Sequence, residues 1–391
     1  MGKQHIILRI LPDNVITRKV MTKLQIALWN RYAMSEDEVE SGEKNVDSKK
    51  SVTQKYMHKF AKKGKQIDGM IDKQLESFHV YQNINNSDAI RLDMRFCFFA
   101  YGFLPSEYTQ FQLEKKDKSE RESFISERLR IVFRCHMNDI LAAKLFKDKV
   151  KTYEKYKMYF KRDAISIEKK SDFAKFEKFV KKHPLFVKKE VFESQGNSVA
   201  LINMSKIGKN VEDLFSELIL RGKHILEEPI KQSEAMAAFN ESSVNTIRLV
   251  SLNTKSGVRY PYCTLRTGRP GTFVDNGGAG GIMACVDEMT GVVYTDAYDE
   301  LGGEYSEHPG SGTVFKGYQL PEWDSLLSLC HALAETAPNI RFIGWDFAHT
   351  NEGWVVVEGN ECCQLIGKQM IEQKGLRKKF EIYMKDMDLE A

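Results

Sequence analysis

The chain has 391 residues, 42% of them apolar and 29% charged, and a formal net charge of +4. That length supports two or three domains with sizeable cores, and the composition excludes a disordered chain. So small a charge gives no ground for a nucleic-acid partner, and the longest apolar run, CFFAYGFL at 97–104, is far short of the ~20 residues of a membrane span. Seven cysteines without a CxxC pair point to a reducing, cytoplasmic setting. The opening MGKQHIILRILP lacks the h-region and cleavage site of a secretory signal.

In chain order, residues 35–66 are polar and charged, which predicts a mobile or loosely helical segment. Helical patterns follow to about 139, broken by Gly102 and Pro105. SERESFISERLRIVF (119–133) spaces Phe124, Leu129 and Phe133 as an amphipathic helix. Residues 142–160 are basic, with aromatics every three or four positions. They predict an amphipathic helix with a solvated lysine face, or one in which Lys149 turns toward a polyanion. LFVKKEVF (185–192) and SVALINM (198–204) predict two strands joined by the turn ESQGN. Asn210 reads as the N-cap of a helix that Gly222 ends, and KHILEEPI (223–230) as a third strand.

Strands are then predicted at 244–252 and 258–268, with a hairpin at 284–297 turning at Thr290-Gly291. VDNGGAGG (274–281) lies between the last two. A helix opens at Pro321. A closing hairpin pairs IRFIGWDF with GWVVVEGN, with Trp345 and Trp354 in the core, and a basic helix ends the chain.

The closing hairpin carries the chemistry. Side chains alternate along a strand, so Glu358 and Asn360 share a face. Asp346 joins that face only if even-numbered residues pair with even-numbered ones; it then lies diagonal to Glu358, at ~7–8 Å between backbones. Two carboxylates and an amide are hard oxygen donors, suited to Mg²⁺ or Mn²⁺ and not to Zn²⁺. The bland alternative is a surface hairpin with its acids in water. A magnesium-nucleotide site also needs cations for phosphates and a frame for the base. Lys188 precedes the small turn that holds Gly196, whose N–H groups can cover phosphates, and Lys149 offers a second charge. LEEPI (226–230) supplies acids and backbone at a strand end for an adenine and its ribose.

This order of features resembles the ATP-grasp superfamily. More narrowly it resembles the sugar-transfer-associated ATP-grasp proteins, through SVNTIRLVSL, RTGRPGTFVDNGGAGGI, HPGSGTVFKGYQLPEW and IGWDF…VVVEGN. The likeness covers roughly residues 95–391 and leaves 1–90 unexplained. It implies an α+β ATP-grasp fold: a mainly helical region over 1–140, a small lobe over 141–232 and a large lobe over 233–391, the two lobes gripping ATP. By position it places Lys149 and Lys188 on phosphates, Glu227, Glu228 and Ile230 around the adenine, and Glu234 toward the ribose. Asp346, Glu358 and Asn360 would hold one or two Mg²⁺. Arg266 would meet the γ-phosphate and the acyl-phosphate that follows, with Arg248 a second candidate. VDNGGAGG would close over the acceptor, with Asn276 orienting it. Lys189 stands where the family commonly has proline, so either Lys188 or Lys189 can point inward. The implied activity is a Mg-ATP-dependent carboxylate–amine ligase working through an acyl-phosphate. Its small-molecule substrates would be sugar- or amino-acid-bearing precursors of a surface polysaccharide. The alternatives are a phosphotransferase on the same scaffold and a non-catalytic anion-binding module.

Overall fold

Alternation of apolar and polar residues builds two antiparallel sheets in this computed structural model, which describes residues 15–78, 87–192, 199–273, 275 and 277–389. The smaller sheet joins β1 (Ala164–Ile167), β2 (Leu185–Glu190), β3 (Ala200–Asn203) and β4 (His224–Glu227) in the order β1-β4-β2-β3. The larger joins β5 (Thr246–Thr254), β6 (Gly257–Thr267), β7 (Ile282–Cys285), β8 (Ala297–Asp299), β9 (Glu304–Tyr305), β10 (Phe342–Thr350) and β11 (Gly353–Asn360) in the order β11-β10-β5-β6-β7-β8-β9.

One face of the small sheet carries Ile167, Phe186 and Leu226. It packs on helices Phe173–Lys182 and Val211–Leu220 through Phe176, Phe179, Leu214, Phe215 and Leu218. The second helix begins where Asn210 Oδ1 accepts from the Asp213 amide at 2.7 Å, and ends before Gly222, whose φ of +115° only glycine adopts cheaply. On the opposite face Ile225 joins the main core, beside Tyr153 and Phe160 of helix Lys149–Phe160.

The central strands of the large sheet are buried on both sides. Odd-numbered Ile247, Leu249, Ile343, Trp345 and Phe347 pack with Leu326, Cys330 and Leu333 of helix Trp323–Glu335. Even-numbered Val250, Leu252 and Phe342 pack with Phe380 and Met384 of helix Arg377–Asp386. Trp354 is buried as well.

Three predicted elements come out differently. The segment 35–66, expected to be mobile or loosely helical, lies in regular helices, Glu36–Lys44, Val46–Lys59 and the first part of Ala61–Ser77. Ser35 and Glu38 form a capping box, and Asn45 Oδ1 accepts from the Ser48 amide at 2.8 Å. The helices read as polar because only a narrow stripe with Val39, Tyr56, Ile67 and Ile71 is buried, in an aromatic core with Phe96, Phe99, Phe103 and Phe111. That core continues onto Cys285 of β7 and Met370 of helix Ile366–Glu372. The segment 119–133 is two helices, Lys118–Ser123 and Glu127–Met137, because Ser126 breaks it and caps the second. The segment 142–160 also divides, into Lys144–Lys147 and Lys149–Phe160. Asp148 Oδ1 accepts from the amides of Val150 and Lys151 and restarts the helix there. No helix among the described residues is long and apolar enough to cross a membrane.

Candidate active site

Strand pairing decides where the acids of the closing hairpin go. From the turn, β10 and β11 pair Thr350 with Gly353 through to Phe347 with Val356. Regular pairing would next set Val357 against Asp346, and Glu358 against Trp345 on the core face. Instead a β-bulge leaves Val357 unpaired, and Asp346 lies directly opposite Glu358, not diagonal to it. Gly344 then faces Asn360, so Asp346, Glu358 and Asn360 share one side of the sheet.

Two arginines come to the same side from the neighbouring strands, Arg248 paired with Asp346 across β5 and Arg266 following on β6. Arg248 grips Asp346 with both forks; Nε is in close contact with Oδ1, and Nη2 lies 2.8 Å from Oδ2. Arg266 Nη1 lies 3.3 and 3.2 Å from the same two oxygens, and its Nη2 reaches Asp275 Oδ1 at 3.3 Å. Asp275 in turn accepts from the Thr246 hydroxyl. Burial would raise the Asp346 carboxyl, but Arg248 and Arg266 outweigh it and hold it below its ordinary value. For Asp275 burial wins over Arg266, and its carboxyl titrates above the usual range.

The residues present fit a hard divalent cation. Asn360 donates its amide N–H to Glu358 Oε1 at 3.0 Å, a bond that does not engage its amide oxygen. Three carboxylates, from Asp275, Asp346 and Glu358, face only two guanidiniums, and two of the three lie against each other across the strands. A cation entering there must take over part of the charge that Arg248 and Arg266 now balance on Asp346.

The small lobe holds a second charged group. Glu227, at the end of β4, is buried and takes Arg162 (Nη2 2.7 Å, Nε 2.9 Å) and Lys189 (3.0 Å). Burial would raise its carboxyl, but Lys189 and Arg162 lower it to about 2. Arg162 also donates to the carbonyl oxygens of Val356, at 2.6 Å, and Val357, at 3.3 Å. One guanidinium therefore ties the end of β4 to the bulge that sets Glu358 in place.

The register of β2 separates the two lysines. Lys189 pairs with Ile225 and shares the face of Glu227, whereas Lys188 pairs with Leu226 and points to the opposite, helix-covered side. Lys188, expected on the phosphates, therefore lies on the side away from Glu227: side chains along β2 alternate between its two sides, and Phe186 fixes which side is packed on the helices. Lys149 Nζ lies 3.1 Å from the Glu190 carbonyl at the end of β2. Glu228 leaves the strand and accepts from the Asp163 amide at 3.2 Å. Asp163 and His183 stand beside Glu228 in cation-ligating range, but the Lys182 ammonium already sits on Asp163. Ile230 is half-buried in the segment after β4, and Glu234 is exposed in the first turn of helix Glu234–Ala237. Gly196 and Asn276 lie outside the described residues.

Sequence reasoning missed Asp275, Arg162 and Thr246, and it left open which of Lys188 and Lys189 faces Glu227. For Asp275 a signal existed, an acid beside Asn276 in a glycine-rich stretch. Arg162 had none, because its partners are 65 and 194 residues away. His308, in HPGSG, is buried with its ring Nε2 2.8 Å from the Gly268 carbonyl.

A four-stranded and a seven-stranded antiparallel lobe, with acids and arginines on the larger, define the ATP-grasp class. The chain belongs to the sugar-transfer associated ATP-grasp family, whose profile matches residues 128–384. No curated protein matches it. Among solved structures, D-alanyl-alanine synthetase A from Vibrio cholerae shares 11% identity at a TM-score of 0.41, over 63% of this chain and 66% of that one. N5-carboxyaminoimidazole synthetase from Staphylococcus aureus, complexed with ADP, shares 12% at a TM-score of 0.41, over 65% and 55%. The ATP-grasp ligase PsnB, complexed with minimal precursor, shares 8% at a TM-score of 0.40, over 70% and 76%. Each likeness is remote and spans only part of the neighbour's length.

Proposed function

We propose that the chain is a Mg-ATP-dependent carboxylate–amine ligase that works through an acyl-phosphate on a precursor of a surface polysaccharide. The observation that carries this reading is the bulged register of β10 and β11, which sets two carboxylates and an amide oxygen side by side under two arginines. Asp346, Glu358 and Asn360 would hold Mg²⁺ (or Mn²⁺), and bound Mg-ATP would supply the phosphoryl group that turns a carboxylate into an electrophile. The chain's own part is charge and alignment more than proton transfer. Arg266 and Arg248 neutralise the oxygens of the transferring group and hold the acceptor carboxylate in line. Lys149 and Lys189 hold the remaining phosphates, and the backbone from Glu228 to Ile230 frames the base, with Glu234 toward the ribose. The glycine-rich stretch 274–281, with Asn276, covers the acceptor and keeps water from the mixed anhydride.

The test is product analysis with ATP, Mg²⁺ and paired panels of uronic or amino acids and amines. This reading expects ADP and free phosphate in equal amounts, only when a carboxylate and an amine are both present. ADP without free phosphate, together with a phosphorylated acceptor, would instead establish a phosphotransferase. Substrate-independent retention of polyanions, unchanged by Asp346→Asn, would leave only an anion-binding module.

A further inference from the structure

Helix Val15–Asn30 is amphipathic with its apolar side facing out. Its inner side mixes Thr17, Arg18, Thr22 and Gln25 with Met21 and Ile26 and rests on the segment around helix Glu127–Met137. Arg18 Nη1 meets Asp139 Oδ2 at 2.7 Å, and Gln25 Oε1 accepts from Arg134 Nη1 at 3.0 Å. Of its apolar residues Met21 packs inward, against Ile140 and Leu141, and Ile26 is half-buried. The outer side runs Ile16, Val20, Leu24 and Leu28 at intervals of four, with exposures of 75, 49, 52 and 38%. Soluble helices do the reverse, and an exposed apolar stripe of this length marks an interaction surface.

The charge pattern selects the partner. VITRKVMTKLQIALWN contains no acid, and its exposed Lys19 and Lys23 lie on the apolar stripe itself. There their aliphatic stems extend the apolar surface while the ammonium groups reach its rim. Trp29, 37% exposed, closes the stripe. Just beyond it Arg31 and Lys63 stand 4.4 and 5.8 Å from the centre of the same Tyr32 ring, two cations held together. A protein groove would need acids matched to each of these positions, whereas an anionic bilayer surface offers negative charge everywhere and an apolar layer just beneath. At ~1.5 Å per residue the helix is too short to cross a bilayer and would lie flat.

We propose that the outer face of helix Val15–Asn30 docks the protein on an anionic lipid bilayer, with Ile16, Val20, Leu24 and Leu28 in the interface and Lys19 and Lys23 at the headgroups. This surface is separate from the nucleotide lobes, so it stands whatever the acceptor proves to be.

The test is co-sedimentation of the full chain with phosphatidylcholine vesicles, with and without about 30% phosphatidylglycerol. Tryptophan emission is recorded in parallel. Trp323, Trp345 and Trp354 are buried, so a change reports Trp29. Binding to the anionic vesicles with a blue shift, weakening as salt is raised, is expected. The exposed triple variant Ile16→Ser, Val20→Ser, Leu24→Ser should lose about tenfold or more in vesicle affinity, and Lys19→Glu with Lys23→Glu likewise. Because these side chains point to solvent, thermal stability should not fall. Absence of binding to either vesicle, or binding that the variants leave unchanged, overturns the proposal. So does a concentration-dependent dimer that the triple variant dissolves, which would make a second copy the occupant. Resistance of Trp29 to quenching in the free protein would assign the cover to residues 1–14 and overturn it too.

Discussion

Asp346 is the residue on which the charges converge, and that makes it a poor probe on its own. Asp346→Asn would remove a proposed cation ligand, but it would also leave the largely covered Arg248 without its carboxylate and Arg266 with Asp275 alone. Breaking such a pair costs about 3–5 kcal/mol. Glu358→Gln and Asn360→Ala separate the two effects, since neither residue is hydrogen-bonded to a guanidinium. Each should lower kcat/KM with Mg-ATP by about 10²-fold, with Tm within a few degrees of the parent. Steady-state ADP release and thermal melts check this, and a variant with full activity would remove that residue from the site. Glu227 offers a pH signature. Its carboxyl is depressed from 4.5 to about 2, so its contribution to stability is present above pH 4.5 and is lost as pH falls toward 2. Urea unfolding across this range should show a steeper acid-side decline in the parent than in Glu227→Gln, whose stability at neutral pH should already be lower.

At the scale of elements, the bulge at Val357 connects local chain geometry to chemistry. The hairpin and its even-numbered acids were legible in the sequence because strand alternation is strict. The register was not, because a bulge shifts parity by one residue and is fixed here from outside the hairpin, by Arg162 on the Val356 and Val357 carbonyls. Arg162→Lys keeps a charge for Glu227 but lacks the fork that reaches both carbonyls. It should cost about 1–3 kcal/mol of stability and weaken the response to Mg-ATP more than the response to ATP alone. An unaltered Mg-ATP response, measured by melting, would show that the bulge does not depend on this clamp. Lys188 and Lys189 teach the same lesson. Both are lysines on one strand, and only the pairing of β2 with β4 separates them. Caps at Asn210 and Gly222 were readable because they act within a single turn, whereas those at Asp148 and Ser126 sit inside stretches whose periodicity looks continuous.

The whole molecule joins an aromatic helical region to two sheets, and the join explains which parts sequence could reach. Two of the family motifs, SVNTIRLVSL and IGWDF…VVVEGN, lie on strands of the large sheet, where side-chain alternation carries information over short distances, whereas HPGSGTVFKGYQLPEW falls between strands and shows itself only as a resemblance. The helical region conceals its order, because its helices bury narrow stripes and depend on caps, so 35–66 reads as loose although Val39 and Tyr56 are buried. That region packs on β7 and on helix Ile366–Glu372, so its loss should expose the back of the large lobe. The account rests most heavily on a divalent cation completing the Asp346, Glu358 and Asn360 group beside ATP. Thermal melting of the parent chain with ATP, with Mg²⁺ and with both measures this directly. With ATP ~100-fold above its Kd, binding should add about 2.7 kcal/mol and raise Tm by several degrees when Mg²⁺ is present, with most of that rise lost in Glu358→Gln. A rise of the same size without Mg²⁺, or one that Glu358→Gln leaves intact, would contradict the account.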